Sequence, residues 1–175
     1  SVVITVVVGH GRSPEGKGWG SRIDSCDVVV RMWDWYPWQL LPDYGTKYDY
    51  GLFVLTPKGV SIFNEHNVCT PHKGWLAYHG GTPLLAESLP RRVQGWMEII
   101  GNPLWASLAR EMGGVGLNGR LTLTRGCAAA AWAITRSSKG SQVVLVGFDN
   151  VACGTNQPVE QSFCPEYWAL YMSRF

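Results

Sequence analysis

The sequence predicts an α/β fold, with a Rossmann-like, mostly parallel sheet and flanking helices. Six of the seven residues from Val2 to Val8 are Val or Ile, too continuous a run for a strand with one face in water. This run passes directly into a glycine turn at 9–13, and a second β-branched run follows at 28–30. Strand, glycine turn, crossover and strand form the first half of a parallel sheet, in which ligands bind beyond the carboxyl ends of the strands.

The composition is that of a globular domain. The chain has 175 residues and a net charge of +2, and no shift in composition divides it, so we expect one domain over residues 1–175. This charge is too small to require nucleic acid or an anionic membrane as a partner. The five cysteines include no C-x-x-C pair, which favours reduced thiols in a cytoplasmic protein. The run from Val2 to Val8 is too short to cross a bilayer, so no membrane span is expected.

Three further segments of the first two thirds of the chain have a readable pattern. Residues 50–55 and 74–78 are predicted as a third and a fourth strand, and a glycine-rich loop beginning at His79 closes the fourth. Residues 88–112 carry apolar side chains at helical spacing and are predicted as a helix, interrupted at Pro103.

A second strand-and-helix unit covers residues 119–150. A turn at 124–126 leads into a helix of small residues at 127–134, which suits close packing against a sheet. The run 142–146 is predicted as a buried strand that delivers Gly147-Phe148-Asp149 at its carboxyl end.

The first glycine turn has a partial likeness to a phosphate-binding P-loop. Gly11 and Gly16-Lys17 have the Walker A spacing. Gly18 stands where a Ser or Thr hydroxyl would hold Mg²⁺, and Gly18-Trp19-Gly20 is a poor first helical turn. A P-loop NTPase is therefore disfavoured.

The same turn also contains part of the dinucleotide-binding fingerprint. Gly9 and Gly11 match its first two glycines, but Pro14 stands where the third would allow close helix packing. The acidic residue after the second strand is matched only loosely, by Asp34. An NAD-type oxidoreductase is thus an alternative with weak support.

The four histidines show no metal-binding pattern. His10, His66, His72 and His79 are not spaced with carboxylates or cysteines as zinc ligands are, so no metal site is expected. His79, in its glycine-rich loop after a predicted strand, is the best placed of them to act as a general base.

The turn at 124–126 suggests a phosphate site. A helix that begins there directs its free N–H groups and the positive end of its dipole toward whatever the sheet binds. Arg125 adds a guanidinium suited to phosphate. The alternative is a helix cap with a surface arginine.

Taken in order, these segments resemble the motifs of sialyltransferase-like glycosyltransferases. GHGRS at 9–13 and IDSCDVVVRM at 23–32 resemble the family's first long motif, a G-N-G-x-S turn followed by I-D-x-x-D-x-V-I-R-x-N. GTK at 45–47 resembles its next turn, G-x-[KR]-T. LTRG at 123–126 and the strand and turn at 144–149 resemble its second motif, P-[ST]-[ST]-G with a later G-[FI]-D.

The resemblance implies a single-domain sialyltransferase-like fold, a GT-A variant, that binds a nucleotide sugar as co-substrate. It also implies inverting transfer to an acceptor hydroxyl without a catalytic metal or another cofactor. Residues 9–13 would lie against the nucleotide, 124–126 would meet its ribose or phosphate, and 147–149 would close the pocket floor. The expected donor-binding residues are Gly9, His10, Gly11, Arg12, Ser13, Arg31, Trp33, Thr124, Arg125, Gly126, Cys127, Gly147, Phe148 and Asp149, and the catalytic candidates are His79 and His10.

This sequence departs from the family pattern at three points. His10 and Trp33 replace asparagines of the first motif, so the donor is left open as a CMP- or UDP-sugar. The family's catalytic histidine lies beyond the second motif, whereas no histidine follows His79 here. Either a further C-terminal part lies outside this sequence, or another group is the base.

Several alternatives remain open from the sequence. The acceptor is a glycan by analogy, or a hydroxymethylated DNA base, because the chain is slightly basic and rich in tryptophan and tyrosine. The rival to an enzyme is a nucleotide-binding module without chemistry. The oligomeric state is not predicted.

Overall fold

A computed structural model of the protein describes residues 2–9, 11–32, 41–54, 57, 60–61, 71–78, 97–100 and 125–148. Within them lie six strands: β1 (Ile4–Val8), β2 (Val28–Met32), β3 (Tyr50–Val54), β4 (Gly74–Tyr78), β5 (Met97–Ile100) and β6 (Gln142–Val146). The helices whose bounds lie within them are α1 (Gly20–Asp24), α2 (Leu41–Tyr44) and α3 (Arg125–Arg136), and residues 57, 60 and 61 are helical as well.

The six strands form one parallel sheet in the order β5-β4-β3-β2-β1-β6. From β1 the chain adds strands outward in one direction as far as β5, and then returns to place β6 on the other side of β1. Val6 of β1 is thereby paired with Val29 of β2 and with Val144 of β6. The strand order reverses at β1, and the predicted parallel α/β sheet is confirmed.

Four of the predicted strands and the second-unit helix are confirmed with small changes of boundary. The first strand begins at Ile4, and Val2 and Val3 before it are exposed. Its residues 5–8 are buried as predicted. The helix extends beyond the predicted 127–134 to the full length of α3.

The prediction of a helix over 88–112 is wrong where the structure describes this segment. Met97–Ile100 is a strand, and Trp75 and Tyr78 of β4 pair with its two ends. A short apolar run fits either structure locally, and the open edge of β4 offers backbone hydrogen bonds that a helix could not use.

The last predicted strand is correct in position but wrong in burial. β6 leaves Gln142 and Val144 exposed, the latter with 40% of its surface accessible. Only Val143 and Leu145 pack against the α3 core, and Val146 packs on the other face. β6 is therefore half-buried, like a strand with one covered face.

The sheet is covered differently on its two faces. On the α3 face, five consecutive buried residues of α3, 129–133, pack against apolar side chains of the strands, among them Val7, Leu52 and Leu76. On the opposite face a smaller cluster joins Ile23 of α1 and Tyr44 of α2 to β1 and β2. We call these the α3 face and the α1/α2 face.

The two short helices of the α1/α2 face were not predicted. Gly18 and Gly20 argue against a helix start, yet α1 begins at Gly20. The turn at 45–47 follows α2 directly, since Asp43 and Tyr44 are the last two residues of that helix. None of the helices in the described part of the chain combines the length and the apolar character needed to cross a bilayer.

Candidate functional site

The carboxyl ends of β1 and β6 lie side by side where the strand order reverses. Beyond the strands, the N–H of Gly9 donates to the carbonyl of Val146 at 2.8 Å, and the N–H of Gly11 donates to Gly147 at 2.7 Å. The two following turns therefore stay joined by backbone hydrogen bonds. A strand-order reversal is where open α/β sheets bind ligands.

Gly147 fixes how closely these turns approach. Its φ is +73°, which disfavours side chains. A Cβ atom there would lie 3.0 Å from the carbonyl oxygens of Gly9 and Gly11. The turn after β6 therefore requires glycine at position 147, because a side chain there would be strained and crowded.

The ring of Phe148 fills the space between this pair of turns and α3. A Cβ on Gly9 would lie 3.1 Å from one edge of the ring, at Cε2, and a Cβ on Gly126 would lie 2.8 Å from the other edge, at Cε1. The ring also packs against the core of the α3 face. Phe148 thus holds the amino end of α3 close to β1.

Three of the predicted segments are brought together in this way: the turn after β1, the start of α3 and the turn after β6. α3 has 12 residues, and the first N–H groups at its amino end have no partner within the helix and carry a positive partial charge. Arg125 and Cys127 lie in the first turn of α3 by their backbone; their side chains fall outside the described atoms. We call this cluster of glycine turns around the start of α3 the switch-point site.

Arg12 is exposed beside the switch-point site. Its guanidinium donates from Nε to Glu15 Oε1 at 2.8 Å and from a terminal nitrogen to Oε2 at 2.9 Å, and 61% of its side chain is accessible. The hydrogen bond from Arg12 holds the pKa of Glu15 below its ordinary value. Ser13 is exposed as well. Arg12 is thus a cation at the surface, one that already pairs with a carboxylate of the same loop.

The next part of the β1–α1 loop (residues 9–19) binds an internal carboxylate. Asp43 of α2 accepts hydrogen bonds from the N–H groups of Gly16 and Gly18, both at 2.7 Å. These bonds hold the pKa of Asp43 below its ordinary value. Successive N–H groups of this kind form an anion-binding concavity, the device by which a P-loop binds phosphate. Here Asp43 fills it, a further reason against a P-loop NTPase.

Arg31, predicted as a donor-binding residue, is buried away from solvent. Only 3% of its side chain is accessible, and its guanidinium donates to the carbonyls of Tyr44 at 2.7 Å and Lys47 at 2.8 Å. Asp24 lies 3.8 Å from it and accepts from the N–H groups of Thr46 and Lys47. These contacts give Arg31 a structural role in fixing the turn after α2; contact with a donor stays a prediction.

Five of the predicted site residues lie outside the described part of the chain: His10, Trp33, His79, Thr124 and Asp149. Their roles stay predictions. β4, the strand before His79, ends at Tyr78 on the same carboxyl edge as the switch-point site. Three strand spacings separate it from β1, or about 14 Å.

The fold is similar to that of a mammalian sialyltransferase. The solved structure, a complex with Gal-beta-1-3GalNAc-ortho-nitrophenol, matches 99% of this chain with a TM-score of 0.61 at 15% sequence identity. The chain covers 66% of that protein's length, just under two thirds. No family model matches the sequence, and neither does any curated protein. At this identity the likeness shows the fold.

The described residues give no metal centre of their own. Among them, no three His, Cys, Asp or Glu side chains lie close enough together to hold a metal ion. Cys26 is a half-buried free thiol, and burial raises its pKa, which lowers the fraction of reactive thiolate at neutral pH.

Sequence reasoning missed Asp43 and Tyr44 as partners of the β1–α1 loop. The Tyr44 hydroxyl donates to the carbonyl of Gly11 at 3.2 Å, next to the bonds made by Asp43. One signal was available. Gly16 and Gly18 are glycines and can both adopt positive φ, which turns their own N–H groups toward a common side where they need an acceptor. Nothing in the sequence says which carboxylate supplies it.

Proposed function

We propose that the protein is a glycosyltransferase of the sialyltransferase-like fold, a GT-A variant, that uses a CMP- or UDP-sugar. The observation that carries the proposal is the switch-point site, where the glycine turns after β1 and β6 meet the amino end of α3 at the reversal of strand order. The fold similarity to a sialyltransferase supports it. In α/β proteins such a place suits a nucleotide with its phosphate at the helix terminus.

The charge distribution also suits a phosphate donor. The amino end of α3 presents N–H groups, and Arg12 supplies an exposed guanidinium on the adjacent loop. Both would stabilise the negative charge that develops on the leaving nucleotide phosphate. An anionic donor would have to compete with Glu15 for Arg12.

We propose a glycan as the acceptor. The sialyltransferase of similar fold was solved with a disaccharide derivative, which supports a sugar hydroxyl over a DNA base. A general base takes the proton of the acceptor hydroxyl, and the oxygen then forms a bond to the anomeric carbon while the bond to the phosphate oxygen breaks. Attack opposite to the leaving phosphate inverts the anomeric carbon. His79 is our first candidate for the base and His10 our second.

The second candidate function is nucleotide binding without transfer. It comes from a departure noted in the sequence: the sialyltransferase-like pattern has its catalytic histidine beyond the second motif, and the sequence given has no histidine after His79. It predicts that the nucleotide binds but that a nucleotide sugar is not consumed.

The test combines binding and turnover on the purified chain. Calorimetry with CMP, UDP, GDP and NADH would identify the nucleotide, and mass spectrometry would follow transfer from the matching nucleotide sugar to Gal-β1-3GalNAc. We expect binding of CMP or UDP, and a product heavier than the acceptor by one sugar. Binding without product would favour the nucleotide-binding module; binding of NADH alone, or of no nucleotide, would overturn the proposal.

A pair of glycine variants locates the site. Gly147→Ala places a methyl group 3.0 Å from two backbone oxygens of the switch-point site. Gly140→Ala imposes a similar backbone strain, at φ +89°, in the α3–β6 loop at the opposite edge of the sheet, where a Cβ would meet no atom within 4 Å in the part of the chain that the structure describes. We expect Gly147→Ala to abolish nucleotide binding and Gly140→Ala to retain it. Equal loss in both variants would mean that strain, not the site, explains the effect.

A further inference from the structure

Two consecutive residues of α2 hold the β1–α1 loop at two separate points. Asp43 accepts hydrogen bonds from the N–H groups of Gly16 and Gly18, and the hydroxyl of Tyr44 donates to the carbonyl of Gly11. The loop segment between these points carries Arg12, and the first point, Gly11, belongs with Gly9 to the switch-point site. A single short helix therefore contacts the loop on both sides of Arg12.

α2 is itself firmly placed. The side chain of Tyr44 is fully buried in the cluster with Val6, Val8, Ile23 and Val29. Its carbonyl accepts a hydrogen bond from Arg31, which is buried. Asp43 and Tyr44 thus connect the loop to the buried cluster of the α1/α2 face.

The loop depends on these bonds because packing does little at its far end. Gly16 and Gly18 have φ values of +74° and +63°, yet a Cβ on either would meet no atom of the described residues within 4 Å. Among those residues, no neighbouring side chain packs against either position. The Asp43 carboxylate pairs with both N–H groups, beside the turn hydrogen bond from the Lys17 N–H to the Pro14 carbonyl at 3.0 Å, and these bonds favour the observed loop conformation.

We infer that Asp43 and Tyr44 are positioning residues for the donor: they set the β1–α1 loop so that Gly11 and Arg12 meet the phosphate-bearing part of the nucleotide sugar. This inference rests on the proposed function. The internal carboxylate takes the place that phosphate occupies in a P-loop, so the anion-binding concavity serves to fix the loop, and the donor's phosphate is bound by the neighbouring groups.

The test uses Asp43→Asn with Asp27→Asn as its matched control. The asparagine at 43 keeps one acceptor oxygen and turns its NH₂ group toward a second N–H donor. Asp27 also accepts a backbone hydrogen bond, from Ile4 at 2.8 Å, but at the amino end of β1, away from the site. Both variants lose a carboxylate of similar chemistry, and only one of them touches the loop.

For Asp43→Asn we expect about a tenfold rise in Kd for the nucleotide that the wild type binds, the equivalent of one charge-assisted hydrogen bond. In the transfer assay the donor KM rises with little change in kcat, because the reacting groups are untouched. The amide proton resonances of Gly16 and Gly18 shift upfield as their bonds to the carboxylate weaken. Asp27→Asn leaves all three quantities unchanged.

Tyr44→Phe is the second variant, and it still tests the inference if Asp43→Asn does not fold. It removes the hydroxyl alone, keeps the ring buried, and should raise Kd by a smaller factor. Wild-type affinity in both loop variants, or an equal loss in Asp27→Asn, would overturn the inference while the proposed function stands. A wild type that binds no nucleotide would instead overturn the proposed function, and this inference with it.

Discussion

The two faces of the sheet are held by different kinds of interaction. The α3 face is apolar: alanines of a 12-residue helix let it lie close to Val7, Leu52 and Leu76. The α1/α2 face relies on polar side chains, with Asp24, Asp43 and Arg31 each binding two or more backbone groups.

Helix length explains the difference. α1 and α2 have 5 and 4 residues, too few to be stable alone or to bury much apolar surface. Hydrogen bonds from buried or half-buried side chains replace that area. The switch-point site has contacts of both kinds. Close packing around Phe148 fixes the position of its turns next to α3, and the hydrogen bond from Tyr44 of α2 fixes Gly11 on the other side.

The largest expected effect comes from the apolar face. Leu52→Ala removes a fully buried side chain from the α3-face core and should lower the free energy of unfolding by about 3 kcal/mol. Denaturant unfolding measures it. Val144→Ala, a truncation at an exposed position, should change stability by less than about 0.5 kcal/mol. Similar losses in the two variants would mean that the apolar core is not where the stability lies.

On the α1/α2 face, a substitution of Arg31 should lower the free energy of unfolding almost as much as Leu52→Ala. Arg31→Met keeps an apolar stem but leaves the carbonyls of Tyr44 and Lys47 without their donor, which should cost about 2 kcal/mol. Arg22→Met, at an exposed position of α1, is the control and should be near neutral. A neutral Arg31→Met would show that the polar contacts on this face add nothing to stability.

A smaller effect is expected at the contact between α3 and β3. The rings of Tyr50 and Trp132 meet edge to face, with centroids 5.0 Å apart. Tyr50→Leu should cost about 1 kcal/mol, the part of this contact that depends on ring geometry. A thermal melt of the single and double variants at these two positions would measure the coupling, and additive losses would contradict it.

The smallest effect at neutral pH concerns Asp43. Because its folded pKa lies below its ordinary value, its stabilisation is present at neutral pH and is lost as the pH falls through the folded pKa. Wild type and Asp43→Asn should therefore converge in stability in acid, with the wild type the more stable above about pH 5. Denaturant midpoints between pH 7 and pH 3 test this, and a difference that is independent of pH would contradict it.

Much of the sheet was predictable because the local sequence of most strands indicates a strand. Runs of β-branched and aromatic residues occur at 4–8, 28–32, 50–54, 74–78 and 142–146, and glycine turns follow several of their carboxyl ends. The strand at 97–100 was not predictable in this way. It exists because β4 has an edge to pair with, which is a property of the folded sheet.

The candidate site was predictable in its backbone and less so in its side chains. Turns after β1 and β6 must meet if the strands are neighbours, and the sequence indicated both turns. The contacts of Asp43 and Arg31 join segments far apart in the chain, and no local pattern specifies them. Arg31 of the long motif, predicted as a donor contact, holds the turn after α2 in place.

The position of β1 also bears on how the chain is made. β1 is synthesised before β6, one of its two partners, with more than a hundred residues between them. Until β6 leaves the ribosome, one edge of a valine-rich strand has no partner, and unpaired edges of this kind promote association between chains. The strand at the centre of the reversal is thus made long before both of its edges are paired.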